Sequence, residues 1–202
     1  MIAIIDYGMG NLFSVEKAFA KLGAEVVVTS DPEIILGADK VVLPGVGAFG
    51  DCMKNLTEYG MIDVIHTVAR RGTPFMGICL GMQVLFEGSE EDPGVKGLGI
   101  FPGMVRKIVA PELKIPQMGW NSLEFAAPSP LFVNMPAEPY VYFVHSYHVV
   151  PEDSGIITAV VDYGGPVTAA VGRANVQAVQ FHPEKSSTLG LAMLANFKEM
   201  KS

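Results

Sequence analysis

The sequence predicts a three-layer α/β sandwich: a mostly parallel central sheet, helices on both faces, and an antiparallel extension. Three observations carry this. Short apolar runs alternate with helix-forming stretches over residues 2–86, the pattern of a parallel sheet covered on both sides. From about residue 99 the chain reads as strand after strand, several joined by short Gly-, Pro- or Asp-rich turns, which favour antiparallel pairing. Hydrophobic residues make up 50% and charged residues 17% of the 202, which supports one large core and argues against disorder. No linker-like stretch divides the chain, so residues 1–202 are read as a single domain.

Taken in order, Ile2 to Ile5 is a buried first strand, followed by the loop Asp6-Tyr7-Gly8-Met9-Gly10-Asn11. A helix is predicted from Leu12 to Leu22, with Val15, Phe19 and Leu22 at helical spacing and Gly23 as its stop. Glu25 to Val28 is a second strand, and Asp31-Pro32-Glu33 opens a capped helical turn. Lys40 to Leu43 is a third strand, ending in Pro44-Gly45-Val46-Gly47-Ala48-Phe49. Helical composition fills much of residues 51–71, broken near Gly60. A strand at Phe75–Ile78 and a helix from Leu80 to Phe86 follow. The later strands are predicted at 99–108, 117–125, 141–150, 157–163, 167–173 and 176–181, with a last helix over 187–200. The architecture is flavodoxin-like, and in such sheets ligands bind beyond the carboxyl ends of the parallel strands. The loops 6–11 and 44–49 and the turn at Cys79 all fall there.

Cys79 joins the fourth strand to its helix, with Gly77 and Gly81 two places away on either side. This is the layout of a nucleophile elbow, with cysteine in place of serine. The sharp turn crowds the backbone, so only small residues fit at the flanks. It also sets the thiol at a helix N-terminus, which favours the reactive thiolate. The N–H of Leu80 would face a developing oxyanion. Gly45-Val46-Gly47 is predicted to lie beside the elbow strand. Its glycines let an N–H of Val46 or Gly47 turn towards the reaction centre as the second donor.

A cysteine nucleophile wants a histidine, and the histidine wants a carboxylate. His182 precedes Pro183, which biases it to an extended backbone. Residues two apart in an extended segment project to one side, so Glu184 reaches the His182 imidazole. His66 falls in a predicted helix and reads as a structural or surface residue. His145 and His148, three apart on one predicted strand, point to opposite faces and make a poor metal pair. Gly8-Met9-Gly10 lacks the third glycine of a dinucleotide fingerprint. Neither a metal nor a cofactor is expected.

With Gly77-Ile78-Cys79-Leu80-Gly81-Met82-Gln83 and His182-Pro183-Glu184 in hand, the chain resembles the class I glutamine amidotransferases, whose signatures G-x-C-x-G-x-Q and H-P-E it matches without change. Five further stretches make it similar to one family within that class, the glutaminase subunits of imidazole glycerol phosphate synthases. They are 6–12, Pro44-Gly45-Val46-Gly47-Ala48-Phe49, Met118-Gly119-Trp120-Asn121, Phe143-Val144-His145-Ser146-Tyr147 and 181–186. Ser187 and His148 depart from that pattern, at positions outside the triad.

The resemblance implies a Cys79–His182–Glu184 triad that releases ammonia from L-glutamine. It implies substrate contacts from Gly47, Gln83, Glu91, Ser146 and Tyr147. It also implies a heterodimer with a separate (β/α)8 cyclase subunit, met through Asn11, Trp120, Tyr142 and Lys185. The cyclase would turn the ammonia and a nucleotide substrate into imidazole glycerol phosphate and an aminoimidazole carboxamide ribotide in histidine biosynthesis.

Composition narrows the alternatives. The net charge of −7 offers no basic stripe for nucleic acid or anionic lipid. The chain opens without the basic leader of a signal peptide, and no apolar run nears the ~20 residues of a membrane span. Cys52 and Cys79, far apart and without a C-x-x-C pair, argue for a reducing, cytoplasmic setting. Three rivals remain: a class I glutaminase for another acceptor, a free-standing γ-glutamyl hydrolase, and a non-catalytic thiol sensor. The loop at 44–47 weighs against the chorismate-type amidotransferases, whose loop is usually G-G-P-G. The sensor would alkylate at Cys79 without turnover.

Overall fold

The computed structural model describes residues Met1–Lys201. The first half builds β1 (Ile2–Ile5), α1 (Leu12–Lys21), β2 (Val26–Thr29), α2 (Pro32–Gly37), β3 (Lys40–Gly45), α3 (Phe49–Glu58), α4 (Met61–Arg70), β4 (Phe75–Cys79) and α5 (Leu80–Gln83). The second half builds β5 (Gly88–Ser89), β6 (Gly103–Lys107), β7 (Gln117–Ser122), β8 (Glu124–Phe125), β9 (Tyr140–His145), β10 (Tyr147–Pro151), β11 (Ile157–Asp162), β12 (Pro166–Arg173), β13 (Val176–Val179) and α6 (Ser187–Glu199). An eight-stranded sheet runs β2-β1-β3-β4-β13-β12-β11-β8. Its first five strands are parallel, and β12, β11 and β8 add on antiparallel. Two small sheets, β10-β6-β5 and β7-β9, sit apart from it.

The layers follow from side-chain alternation. Along β1, Ala3 and Ile5 face one core, with Ile35, Leu56, Ile65 and Val68 from α2, α3 and α4. Ile2 and Ile4 face the other, with Val15 and Phe19 of α1 and Leu194 and Phe197 of α6. The Phe19 and Phe197 rings meet at 6.2 Å between centroids. β1 is wholly buried, while β2, at the sheet edge, is only half-buried. No helix among the described residues is long and apolar enough to cross a membrane.

Local signals held where they are strong. Asp31 caps α2 by accepting from Glu33 N–H, and Gly60, at φ +68°, separates α3 from α4. Four predicted elements differ. The helix predicted over 80–86 stops at Gln83: the N–H groups of Leu85 and Phe86 donate only three residues back, to Met82 and Gln83, and the carbonyls of Val84, Leu85 and Phe86 accept from Leu98, Ile100, Phe101 and Gly99. The strand predicted from 99 begins at Gly103. The run 117–125 is split at Leu123 into β7 and β8, which pair in different sheets. The run 141–150 is split at Ser146 into β9 and β10, again in different sheets. His145 and His148 therefore lie on two strands, not on opposite faces of one.

Candidate active site

β4 ends in a strained residue. Cys79 has φ 55° and ψ −112°, a conformation that costs a non-glycine residue about 1–3 kcal/mol and is held only by its surroundings. The flanking glycines are sterically required. A Cβ at Gly77 would lie 2.7 Å from the Gly81 carbonyl oxygen, and one at Gly81 would run into the carbonyl of Leu43. The elbow is thus clamped between β3 and its own helix, with Sγ at the mouth of α5.

The parallel register brings the other elements to it. Gly45 pairs with Cys79 across β3 and β4, which puts Val46 and Gly47 beside the thiol. Gly47 has φ +98°, open to glycine alone among common residues at little cost. The approach at Gly45 is equally tight, since a Cβ there would meet Gly81 N at 2.8 Å and Tyr7 Oη at 2.9 Å. Tyr7, fully buried, donates its hydroxyl to the Pro44 carbonyl at 2.8 Å and touches Cys52 Sγ at 3.4 Å. On the far side of β4, Val179 pairs with Ile78, so the chain leaving β13 delivers Gln180 and His182 to the same end of the sheet.

His182 Nδ1 and Glu184 Oε1 are 2.9 Å apart with both side chains almost sealed from solvent. The His182 N–H donates to the Tyr142 carbonyl at 3.0 Å, and Ser186 Oγ donates to the His182 carbonyl at 2.6 Å. The imidazole is therefore fixed through its main chain and its outer nitrogen. Nε2 is buried and has no well-formed hydrogen bond among the described residues. Burial by itself would lower the basicity of His182, but the nearby Cys79 sulfur and the hydrogen bond and charge of Glu184 outweigh it and raise its pKa to about 10. An imidazole held in this way beside a thiol can take or give a proton at Nε2.

A cavity of about 320 Å³ opens over Cys79 and His182. Val46, Gly47, Leu80, Gln83, Glu91, Ser146 and Tyr147 all line it, so every residue expected for the oxyanion hole or the substrate converges there. Glu91 accepts from Phe49 N–H at 3.0 Å, and Asp92 from Gly50 N–H at 2.7 Å. These carboxylates cap α3 from 42 residues away, a task Ala48 cannot perform for itself. The expected partner-facing residues lie elsewhere. Trp120 is 52% exposed and packs edge-on against its cross-strand neighbour Tyr142. Lys185 is exposed and Asn11 half-buried.

Sequence reasoning missed four neighbours. Gln180 is completely buried, with Nε2 3.6 Å from Cys79 Sγ; its place just past the end of β13 and two residues before His182 was the available signal. Pro116, Val144 and His145 also line the cavity; Val144 and His145 fall in the stretch 143–147 beside Ser146 and Tyr147, while nothing local in the sequence marks Pro116.

A cysteine on a strained elbow, a buried histidine–carboxylate pair and a glycine loop, all at the ends of a parallel sheet, are the parts an amidotransferase needs. The family model described as glutamine amidotransferase class-I matches residues 3–200, and the chain belongs to that family. Curated relatives narrow it further. The imidazole glycerol phosphate synthase subunit HisH of Syntrophotalea carbinolica is 51% identical over 99% of this chain and 100% of its own length. The protein of the same name from Geobacter sulfurreducens is 50% identical over 99% of each chain, and that from Acaryochloris marina 52% identical over 98% of this chain and 94% of its own. Solved structures share the fold. A glutamine amidotransferase superposes with TM-score 0.76 at 20% identity over 98% of both chains. The glutaminase domain of a Trypanosoma brucei CTPS with bound acivicin superposes with TM-score 0.68 at 18% identity, over all of this chain and 94% of that one.

Proposed function

We propose that this chain, acting as one amidotransferase domain, is the glutaminase subunit of an imidazole glycerol phosphate synthase. It hydrolyses L-glutamine to glutamate and ammonia and passes the ammonia to a (β/α)8 cyclase subunit in a cytoplasmic heterodimer. The observation that carries this is the junction of β4 and β13: Cys79 on a strained elbow, with the sealed His182–Glu184 pair at 2.9 Å on the next strand's continuation.

In the proposed mechanism His182 Nε2 takes the Cys79 thiol proton and Sγ attacks the side-chain amide carbon of glutamine. His182 gives its Nε2 proton to the leaving ammonia, and Glu184 holds the ring by Nδ1 and steadies the cation. The oxyanion is held by the Leu80 N–H and by an N–H of Val46 or Gly47. Water activated by His182 then cleaves the thioester, releasing glutamate and the thiol. Glu91 suits the ammonium group of the substrate, and Gly47, Gln83, Ser146 and Tyr147 hold the rest of it. The cyclase docks on the side bearing Asn11, Trp120, Tyr142 and Lys185.

The test is glutamate release by the purified chain alone, with a cyclase partner and its nucleotide ligand, and with Cys79→Ala under both conditions. Turnover that rises with the liganded partner and vanishes in the variant supports the proposal. Full turnover without a partner makes the chain an independent hydrolase. No turnover in any condition, with partner binding demonstrated, makes it a thiol sensor.

A further inference from the structure

The sulfur of Cys79 has a second polar neighbour that the triad does not use. Gln180 Nε2 approaches it at 3.6 Å, while Gln180 Oε1 accepts from Gln83 Nε2 at 3.0 Å. An amide whose oxygen is occupied by a donor presents its NH2 group at the other end, so the N–H is aimed at sulfur. The second hydrogen of Gln83 Nε2 goes to the Tyr147 carbonyl at 3.1 Å. That carbonyl also accepts from His145 Nδ1 at 2.8 Å. Burial holds the His145 pKa down to about 4, so the ring is neutral, carries its proton on Nδ1 and offers Nε2 as an acceptor. Nε2 meets the side-chain amide of Gln117 at 2.8 Å, directly across β7 and β9. With its oxygen turned to the ring, Gln117 would leave its own NH2 buried without a partner. With the NH2 inward, the bond forms and only an acceptor is left over, the cheaper deficit.

One chain of hydrogen bonds thus runs from strand β7 through Gln117, His145, the Tyr147 carbonyl, Gln83 and Gln180 to Cys79. Gln117, His145, Gln83 and Gln180 are each 6% exposed or less. The outer face of the same β7–β9 ribbon carries Met118, 64% exposed, and Trp120. We propose that Gln180 is a positioning residue for the nucleophile. Its N–H holds Sγ beside His182 and favours thiolate over thiol, and the buried amide chain fixes that N–H and ties it to the β7–β9 ribbon. An N–H donated to sulfur is stronger when the sulfur is charged, so it lowers the cost of ionisation. The inference rests on the reading of Cys79 as the nucleophile.

The test compares wild type, Gln180→Leu and Gln180→Glu by the pH dependence of Cys79 alkylation with iodoacetamide, and by kcat and KM for glutamine in the complex with the cyclase. Gln180→Glu keeps the shape and the bond from Gln83 but sets an oxygen against sulfur. The alkylation midpoint is expected to rise by about one pH unit in Gln180→Leu and by about two in Gln180→Glu. With it, kcat should fall at least about tenfold while KM stays within about threefold. Gln117→Leu, at the remote end, should shift the midpoint in the same direction by less. Midpoints equal to wild type in both Gln180 variants, or a loss confined to KM, overturn the proposal; a fixed midpoint in Gln117→Leu overturns the link to β7. If the Gln180 variants do not fold, the side-chain amide resonances of Gln180 in the wild type are followed instead. They must move in step with Cys79 ionisation, and their indifference overturns the idea. Glutaminase turnover retained by Cys79→Ala would instead sink the underlying reading, whatever the alkylation profiles do.

Discussion

His182 and Glu184 are neighbours-but-one in the chain, with Nδ1 and Oε1 at 2.9 Å and solvent excluded from both. The His182 pKa is raised from its ordinary 6.5 to about 10, with Glu184 one of the causes. A histidine raised in the folded state contributes stability that is fully present below about pH 6.5 and is lost as pH rises through about 10. The alkaline limb of kcat/KM for glutamine should therefore lie well above the ordinary imidazole range. In Glu184→Gln that limb should move to lower pH, with turnover reduced by about two orders of magnitude. A limb that stays in place in the variant would remove Glu184 from the triad.

The two cysteines should differ sharply in chemistry. Cys52 is fully buried under Tyr7, and burial pushes its pKa up to about 12 although the Tyr7 hydrogen bond works against it. Cys79 lines the cavity. Iodoacetamide under native conditions should modify Cys79 alone, read by mass spectrometry of the digested protein. Equal labelling of Cys52 would contradict the packing described around Tyr7.

Gly81→Ala should be worse than an ordinary glycine substitution, because its Cβ has no room against the Leu43 carbonyl. A loss of about 3 kcal/mol or more in denaturant unfolding is expected, together with glutaminase activity. Gly23→Ala, where a Cβ meets nothing within 4 Å, suffers only the strain of its φ of +71° and should cost about 1 kcal/mol. Similar losses at the two sites would mean that the elbow is not clamped.

His145 behaves in the opposite sense to His182. Its folded pKa of about 4 lies below the unfolded value. Between these values the unfolded chain binds the extra proton, so stability falls as pH drops from about 6.5 to about 4. The effect should amount to about 3 kcal/mol and be absent in His145→Gln. Urea titrations across that range measure it, and an equally steep acid slope in the variant would refute the assignment.

What could be read from the chain was what short-range chemistry dictates. Ile2–Ile5 and Phe75–Ile78 are apolar enough to be central strands; Asp31 caps its own helix; Gly60 breaks one; Gly77, Cys79 and Gly81 spell out a turn. His182 and Glu184 were paired by an alternation the chain does not have: Pro183–Lys185 is a 3-10 turn, and it is this turn, not an extended strand, that brings the carboxylate to the ring. The failures were decided at long range. Residues 141–150 have one strand-like composition, and only the sheets they join separate them at Ser146. After Gln83 the chain turns out of the helix and its carbonyls find their partners at 98–101. α3 is capped by Glu91 and Asp92, 42 residues distant. Gln180 could be placed near His182, but its orientation depends on Gln83, a contact across 97 positions.

Tyr142 braces the histidine turn with main-chain atoms only. Its carbonyl accepts the His182 N–H, and its own N–H donates to Ser186 Oγ at 3.0 Å. Every amino acid except proline supplies that same pair of groups. Its ring, outside the brace, packs on the exposed Trp120. The outer surface at this position can thus drift in sequence, tracking whatever it must fit, while the imidazole stays anchored by atoms that mutation does not remove.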